Sequence, residues 1–264
     1  MILCPKMHIP RTSMQNQKIT GALVAIAAAV SFMFAPLAQA EDSLAEVRAT
    51  IEKALTPIIP SDDGIGEVKK TGMAGIYEVE LKGSGQTVYF SADGKYMLAG
   101  SLYQLTSDRL VNLTEQKKNK QRKQLLADVQ GISYPAVGEQ KAEIKVFTDI
   151  TCPYCRKLHA EIPALNKAGV KVTYLAFPRA GIGSRAYTDL VSIYCAKDPQ
   201  QAMNKAKKQQ SFKRDLTCDD QPVDAHYSLV QKLGVTGTPA IAMADGTLIP
   251  GYRPAAAILA QMGL

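Results

Sequence analysis

Tryptophan is absent from the 264 residues, aromatics make up only 6%, and histidine occurs three times, at positions 8, 159 and 226. A chain so poor in flat side chains has no stacking platform for single-stranded nucleic acid. Acidic residues are missing from the first 40 positions, which hold Lys6, Arg11 and Lys18. The formal charge of +7 is therefore partly a property of that segment, and beyond it 28 bases face 24 acids. So small an excess does not argue for a nucleic-acid partner. Zinc is not expected: Cys195 and Cys218 stand far apart, His159 and His226 are isolated, and a structural site needs four convergent ligands. The 46% hydrophobic and 21% charged residues fit an ordinary globular protein of one or two domains.

The one long apolar run lies at the start. After Lys18, residues Ile19 to Phe34 carry no charge, and Ala38-Gln39-Ala40 is followed at once by Glu41-Asp42. A basic flank, a short apolar stretch and an Ala-x-Ala ending read as a secretory signal peptide cut after Ala40. Residues 1–17 read as a surplus leader, with Met7 or Met14 as alternative starts. Of the five cysteines, Cys4 leaves with this segment, so the exported chain carries four in a compartment that permits disulfides.

Two composition regimes follow. Ser43-Leu44-Ala45-Glu46 is a capping box, and Leu44, Val47, Ile51 and Leu55 recur at helical spacing before Pro57. From Gly64 to about Leu105 the period falls to two: Tyr77 to Lys82 alternates, Thr87 to Phe90 forms a second strand, and Asp93-Gly94 predicts a type I′ hairpin turn. A helix with a small antiparallel sheet of about 60 residues buries little surface, so this unit is expected to need a partner. Thr114 to about Gln130 predicts a basic helix, solvated and acting as a linker, and Gly131 to Gln140 predicts a loop.

The strongest chemical signal comes next. A strand over Glu143 to Ile150 runs into Thr151-Cys152-Pro153-Tyr154-Cys155 and then into a helix. The unpaired amides of a helix start stabilise a thiolate, so Cys152 is the expected nucleophile with a depressed pKa. Cys155, one turn in and less exposed, is the expected resolving thiol, and Arg156 adds positive charge. Pro153 fits the first turn, where its missing donor costs nothing. His159, seven residues after Cys152, reads as a structural histidine. Later, Gly237-Thr238-Pro239 precedes an apolar strand, Ala240 to Ala244, then a hairpin through Asp245-Gly246 and a closing helix from Pro254 to Met262. Proline at the start of a core strand suggests a tight, often cis, turn. Strand, Cys-x-x-Cys helix, late Thr-Pro and closing hairpin and helix point to a thioredoxin fold. A helical insertion is expected over roughly Ser184 to Lys208, with Asp198-Pro199 opening its second part. Cys195 and Cys218 bracket that part, either as free buried thiols or, after export, as a disulfide.

The segments Phe147 to Cys155, Tyr174 to Arg179, Cys195-Ala196-Lys197-Asp198, Gly237 to Ala240 and Gly246 to Tyr252 resemble the DsbC/DsbG family of periplasmic disulfide isomerases. The resemblance implies an α+β chain in four parts: a leader and signal over 1–40, a dimerisation domain over 41–105, a linker helix and loop over 106–140, and a thioredoxin-like catalytic domain over 141–264. It also implies a V-shaped homodimer with an open cleft and no cofactor. Misfolded disulfide-containing secreted proteins would be the substrates, and a membrane reductase of the DsbD type the electron donor. Cys152 attacks, Cys155 resolves, and Pro153, Tyr154, Thr238 and Pro239 line the substrate groove. Pro153 departs from the glycine of the familiar enterobacterial form. A DsbG-like reductase, or a holdase chaperone with incidental thiols, is the alternative function.

Overall fold

A computed structural model describes residues 43–264 apart from 59–63, 84, 215 and 217. The expected signal peptide and its expected cleavage site lie outside the described residues.

Helix α1 (Leu44–Leu55) starts as its sequence dictates. Ser43 Oγ accepts from the Glu46 amide at 3.3 Å, and the Glu46 carboxylate accepts from the Ser43 amide at 3.2 Å. Its buried face, Val47, Ile51 and Leu55, covers a four-stranded antiparallel sheet, β1 (Ile65–Lys70), β2 (Ile76–Leu81), β3 (Thr87–Ser91) and β4 (Met97–Ala99), paired in that order. Alternation in β2 sends Tyr77 and Val79 into this core beside Val88 and Phe90. Strand β3 is buried on both faces, because Tyr89 on the far side meets the hydroxyl of Thr114.

The turn at Asp93-Gly94 differs from expectation. Gly94 has φ +67° but Asp93 does not have a positive φ, so this is not a type I′ turn. Asp93 instead accepts from Ser91 Oγ at 2.6 Å and from the Lys95 amide at 3.1 Å, which closes a longer loop from Ser91 to Tyr96. A second hairpin, β5 (Tyr103–Leu105) with β6 (Leu110–Asn112), follows.

Helix α2 (Leu113–Leu126) is less solvated than its charge suggests. Lys117 reaches across to Glu78 of β2 at 2.6 Å, and Arg122 pairs with Glu115. Its other side packs on the turn at Gly246, where a Cβ would collide with the Asn119 carbonyl. Only glycine lets the two backbones come so close.

The larger sheet has the order β11-β10-β8-β9-β7, made of β7 (Ile132–Tyr134), β8 (Ala142–Thr148), β9 (Val170–Ala176), β10 (Ala240–Met243) and β11 (Leu248–Pro250). Strands β8 and β9 run parallel and all other pairs antiparallel. Strand β7 lies inside the expected loop: Ile132, Ser133 and Tyr134 find their partners on β9, a pairing across 40 residues that no local pattern announces. Ile144, Val146, Val172 and Tyr174 point to one face, against α3 (Pro153–Lys167), α4 (Arg185–Tyr194), α5 (Pro199–Lys207) and α7 (Ala255–Met262). Phe147 and Leu175 point to the other, against Leu126 of α2 and Leu229, Val230 and Leu233 of α6 (Val223–Leu233).

Helices α4 and α5 form the insertion, capped by Ser184 and Asp198 through hydrogen bonds from the amides of Tyr187 (3.1 Å) and Gln201 (2.8 Å). Cys195 and Cys218 are joined in a disulfide with Cα atoms 5.6 Å apart. Closing a loop of this length contributes about 3 kcal/mol by chain entropy.

Candidate active site

Cys152 is the N-cap of α3, and its sulfur accepts from the Cys155 amide at 3.4 Å. A cap position aims the free amides of the first turn at the sulfur. Pro153 follows as the first helical residue, and Tyr154 stands 62% exposed at the rim. The loop from β8 into this helix is locked by Asp149. One carboxylate oxygen accepts from the Thr151 amide (2.8 Å) and hydroxyl (2.7 Å), the other from the Arg179 amide (3.0 Å) and Nε (3.1 Å). The carboxylate is buried, yet these four donors outweigh the burial and hold it below the ordinary carboxylate range.

From the far side, the cis peptide bond Thr238–Pro239 comes down on the cysteines, and the Thr238 carbonyl lies 3.3 Å from Cys152 Sγ. Thr238 Oγ1 is buried without a hydrogen-bond partner among the described residues. The structure thus gathers Cys152, Cys155, Pro153, Tyr154, Thr238 and Pro239 at one end of the sheet. Cys195, at the end of α4, and Cys218, between α5 and α6, stand apart.

The two thiols are unbridged in this structure and differ in acidity. Burial pushes Cys152 up, but Thr238, the Cys155 thiol and amide, and the charge of Arg179 together bring it down. Burial dominates at Cys155 and pushes it up, against the opposing charge of Lys207. Two expectations need correction. Cys152 is no more exposed than Cys155, both being 1% accessible, because the Thr238-Pro239 loop covers the sulfur. The cation acting on Cys152 is Arg179, since Arg156 turns back to the carbonyls of Thr151 (3.2 Å) and Ile150 (3.4 Å). Arg179, Asp149 and Lys207 were not singled out from sequence. The first two sit in the segments that carry the family resemblance, whereas Lys207 has no local signal.

His159 does not face Cys152. Its Nδ1 lies 3.2 Å from the Tyr174 hydroxyl, and its ring packs edge-on against Tyr134. Burial, reinforced by Lys207 and Lys208, pushes its pKa down to about 4. A folded-state pKa below the ordinary histidine value means the unfolded chain binds the proton first as pH falls. The contribution of His159 to stability is complete above about 6.5 and is lost between there and about 4. Urea midpoints should therefore fall from pH 7 to pH 5, and by less in His159→Gln. An equal fall in both proteins would place the sensitivity elsewhere.

A Cys-x-x-Cys at the start of the helix after β8, beside a cis Thr-Pro loop on a thioredoxin-type sheet, defines a thiol–disulfide oxidoreductase. Comparison with known proteins carries this further. Residues 37–115 match the disulfide bond isomerase protein N-terminal domain, and residues 135–263 match a thioredoxin-like domain. The thiol:disulfide interchange protein DsbC of Escherichia coli K12 is 38% identical over 221 residues, 84% of this chain and 87% of that protein. DsbC of Dickeya dadantii is 42% identical over 175 residues, covering 66% and 71%. A crystal structure of a disulfide interchange protein from Neisseria gonorrhoeae aligns over 50% of this chain and 94% of its own, with 26% identity and a TM-score of 0.42. The chain belongs to the DsbC family of disulfide isomerases. Among the described residues no helix is long and apolar enough to cross a membrane.

Proposed function

We propose that this protein rearranges incorrect disulfides in misfolded secreted proteins, with Cys152 as attacking and Cys155 as resolving thiol. The single observation that carries the reading is the asymmetry of the pair: Cys152 caps a helix, accepts the Cys155 amide at 3.4 Å and is pushed down, while Cys155 behind it is pushed up. Such a pair attacks with one sulfur and keeps the other protonated until a mixed disulfide needs resolving. Pro153, Tyr154, Thr238 and Pro239 form the groove that receives the substrate strand, and the Cys195–Cys218 bridge is structural.

The reading extends to the whole chain. After cleavage at Ala40 the protein works in the periplasm and takes electrons from a membrane reductase of the DsbD type. Residues 41–105 join two copies, 106–140 space them, and 141–264 catalyse. Support for the homodimer comes from the sheet edges. Strand β1 ends in Lys69 and Lys70, charges that guard an edge, whereas β4 presents Met97 and Leu98, 56% and 59% exposed, next to Tyr96 at 73%. Leu105 and Leu110 of the second hairpin are 83% and 62% exposed. Apolar groups of this size at an open edge suit a two-fold partner.

Refolding of scrambled ribonuclease A in a glutathione buffer tests the function. Wild-type protein should restore ribonuclease activity catalytically. A protein that only suppresses aggregation of unfolded ribonuclease, with no gain in correct disulfides, would be a holdase instead.

A further inference from the structure

Lys207 is buried to 4% exposure, and beyond its charge on Cys155 and His159 it has had no part in the chemistry. Helix α5 of the insertion carries it under the β8–α3 junction. There its Nζ donates to Thr148 Oγ1 at 2.6 Å and to the Asp149 carbonyl at 3.0 Å, with the Tyr174 ring centroid 5.4 Å away. No carboxylate pairs with it among the described residues, because the Asp149 carboxylate is committed to Thr151 and Arg179. A buried ammonium without a counter-ion is costly, so the site favours either a negative neighbour or loss of the proton. Thr148 is wholly buried, its hydroxyl is held by Lys207, and it and the Lys207 charge both lower the Cys155 thiol against its burial, so amine, hydroxyl and thiol belong to one buried cluster.

We propose that Lys207 is the proton acceptor for Cys155 when a mixed disulfide is resolved, acting through the Thr148 hydroxyl. Lys207 is thus a positioning residue, and the inference rests on the assignment of Cys152 and Cys155 made above. In the mixed disulfide the substrate sulfur is bonded to Cys152. The neutral Lys207 amine takes the Thr148 hydroxyl proton as that oxygen takes the proton of Cys155. The resulting thiolate attacks Cys152 Sγ. A Cys152–Cys155 bond forms, the bond to the substrate sulfur breaks, and its electron pair leaves on the substrate thiolate, which is protonated from solvent. The enzyme dithiol is oxidised to a disulfide and the substrate disulfide reduced to two thiols. The ammonium left behind faces the thiolate during attack, which stabilises it in a dry site.

The other groups facing Lys207 do not serve. Cys152 is held in the mixed disulfide, and Asp149 and Arg156 are engaged with Arg179 and with loop carbonyls. His159 is hydrogen-bonded to Tyr174, whose own pKa is raised well above its ordinary value by burial. Burial brings Lys207 down to about 8, so at neutral pH roughly a tenth of the molecules carry the free amine.

Reaction of the reduced protein with 5,5′-dithiobis(2-nitrobenzoate) separates the steps, since attack by Cys152 releases one thionitrobenzoate and resolution by Cys155 releases a second. In Lys207→Met the second release should slow about tenfold or more at pH 7 and its pH profile should move to higher pH, with the first release within about twofold of wild type. Lys207→Arg keeps a cation that cannot take up a proton and should be as slow as Lys207→Met. Thr148→Val breaks the relay while leaving Lys207 in place, should show the same selective loss, and decides the matter if Lys207→Met does not fold. A second release at the wild-type rate in folded Lys207→Met, or in Thr148→Val, would overturn the proposal, as would full rescue by arginine. Failure of the underlying assignment looks different: the first release would survive Cys152→Ala.

Discussion

Cys152→Ala is expected to reduce disulfide exchange to background, whereas Cys155→Ala should still attack and then accumulate mixed disulfides with substrate. The two cysteines are equally inaccessible in the dithiol, so exposure does not divide their roles; charge does. A thiolate at Cys152 gains the free amides of the helix start, the neighbouring Cys155 thiol and the field of Arg179, while one at Cys155 has mainly Lys207 to set against its burial. Each pKa unit between the two is worth about 1.4 kcal/mol in favour of the Cys152 anion. Without Cys152 the remaining thiol is protonated and covered. Without Cys155 the first attack is intact, but the intermediate has no internal exit and waits for an external thiol. Alkylation rates of the single-cysteine proteins, with non-reducing gels of trapped substrate, check both halves. A faster-reacting Cys155 would reverse the assignment.

Leu98→Glu should convert the dimer to a monomer and cut rearrangement of scrambled ribonuclease by about tenfold or more, with reduction of a small disulfide unchanged. Leu98 projects from the unguarded edge strand β4 and pairs in register with Tyr89, so the backbone of the small sheet has no need of its side chain. In a two-fold interface the substitution enters twice. Burying two unpaired carboxylates costs several kcal/mol, enough to dissociate an interface of modest size. Catalysis on a small disulfide needs one thiol pair. Rearranging a protein needs the substrate held while Cys152 attacks repeatedly, and in the proposed dimer a second catalytic domain would raise its effective concentration. Sedimentation velocity reads the first effect and parallel assays the second. A monomer with full isomerase activity would show that pairing of two copies is not what the reaction requires.

Sequence by itself determined those features whose causes are local. The capping box at Ser43, the alternation of Tyr77 and Val79, the proline at the first turn after Cys152, and the Asp198-Pro199 start of α5 each involve neighbours a few residues apart. The chain has no choice but to express them where they stand. The Cys-x-x-Cys at a strand–helix junction belongs with them, and so does the Thr238-Pro239 turn. Only the tertiary structure decided the rest. Strand β7 exists because β9 offers an edge 40 residues away, and the Asp93-Gly94 turn follows its own side-chain hydrogen bonds instead of the hairpin type its residues favour. Arg156 and Arg179 are both plausible companions for a thiolate. Which of them acts was settled by Asp149, whose buried carboxylate grips the loop after β9 and brings Arg179 across. Lys207 shows the limit most clearly. On its own helix it is one more lysine beside Lys205 and Lys208, and burial makes it chemically distinct only because folding sets the insertion beneath Cys155. Long-range packing creates such a group, and no spacing in the chain encodes it.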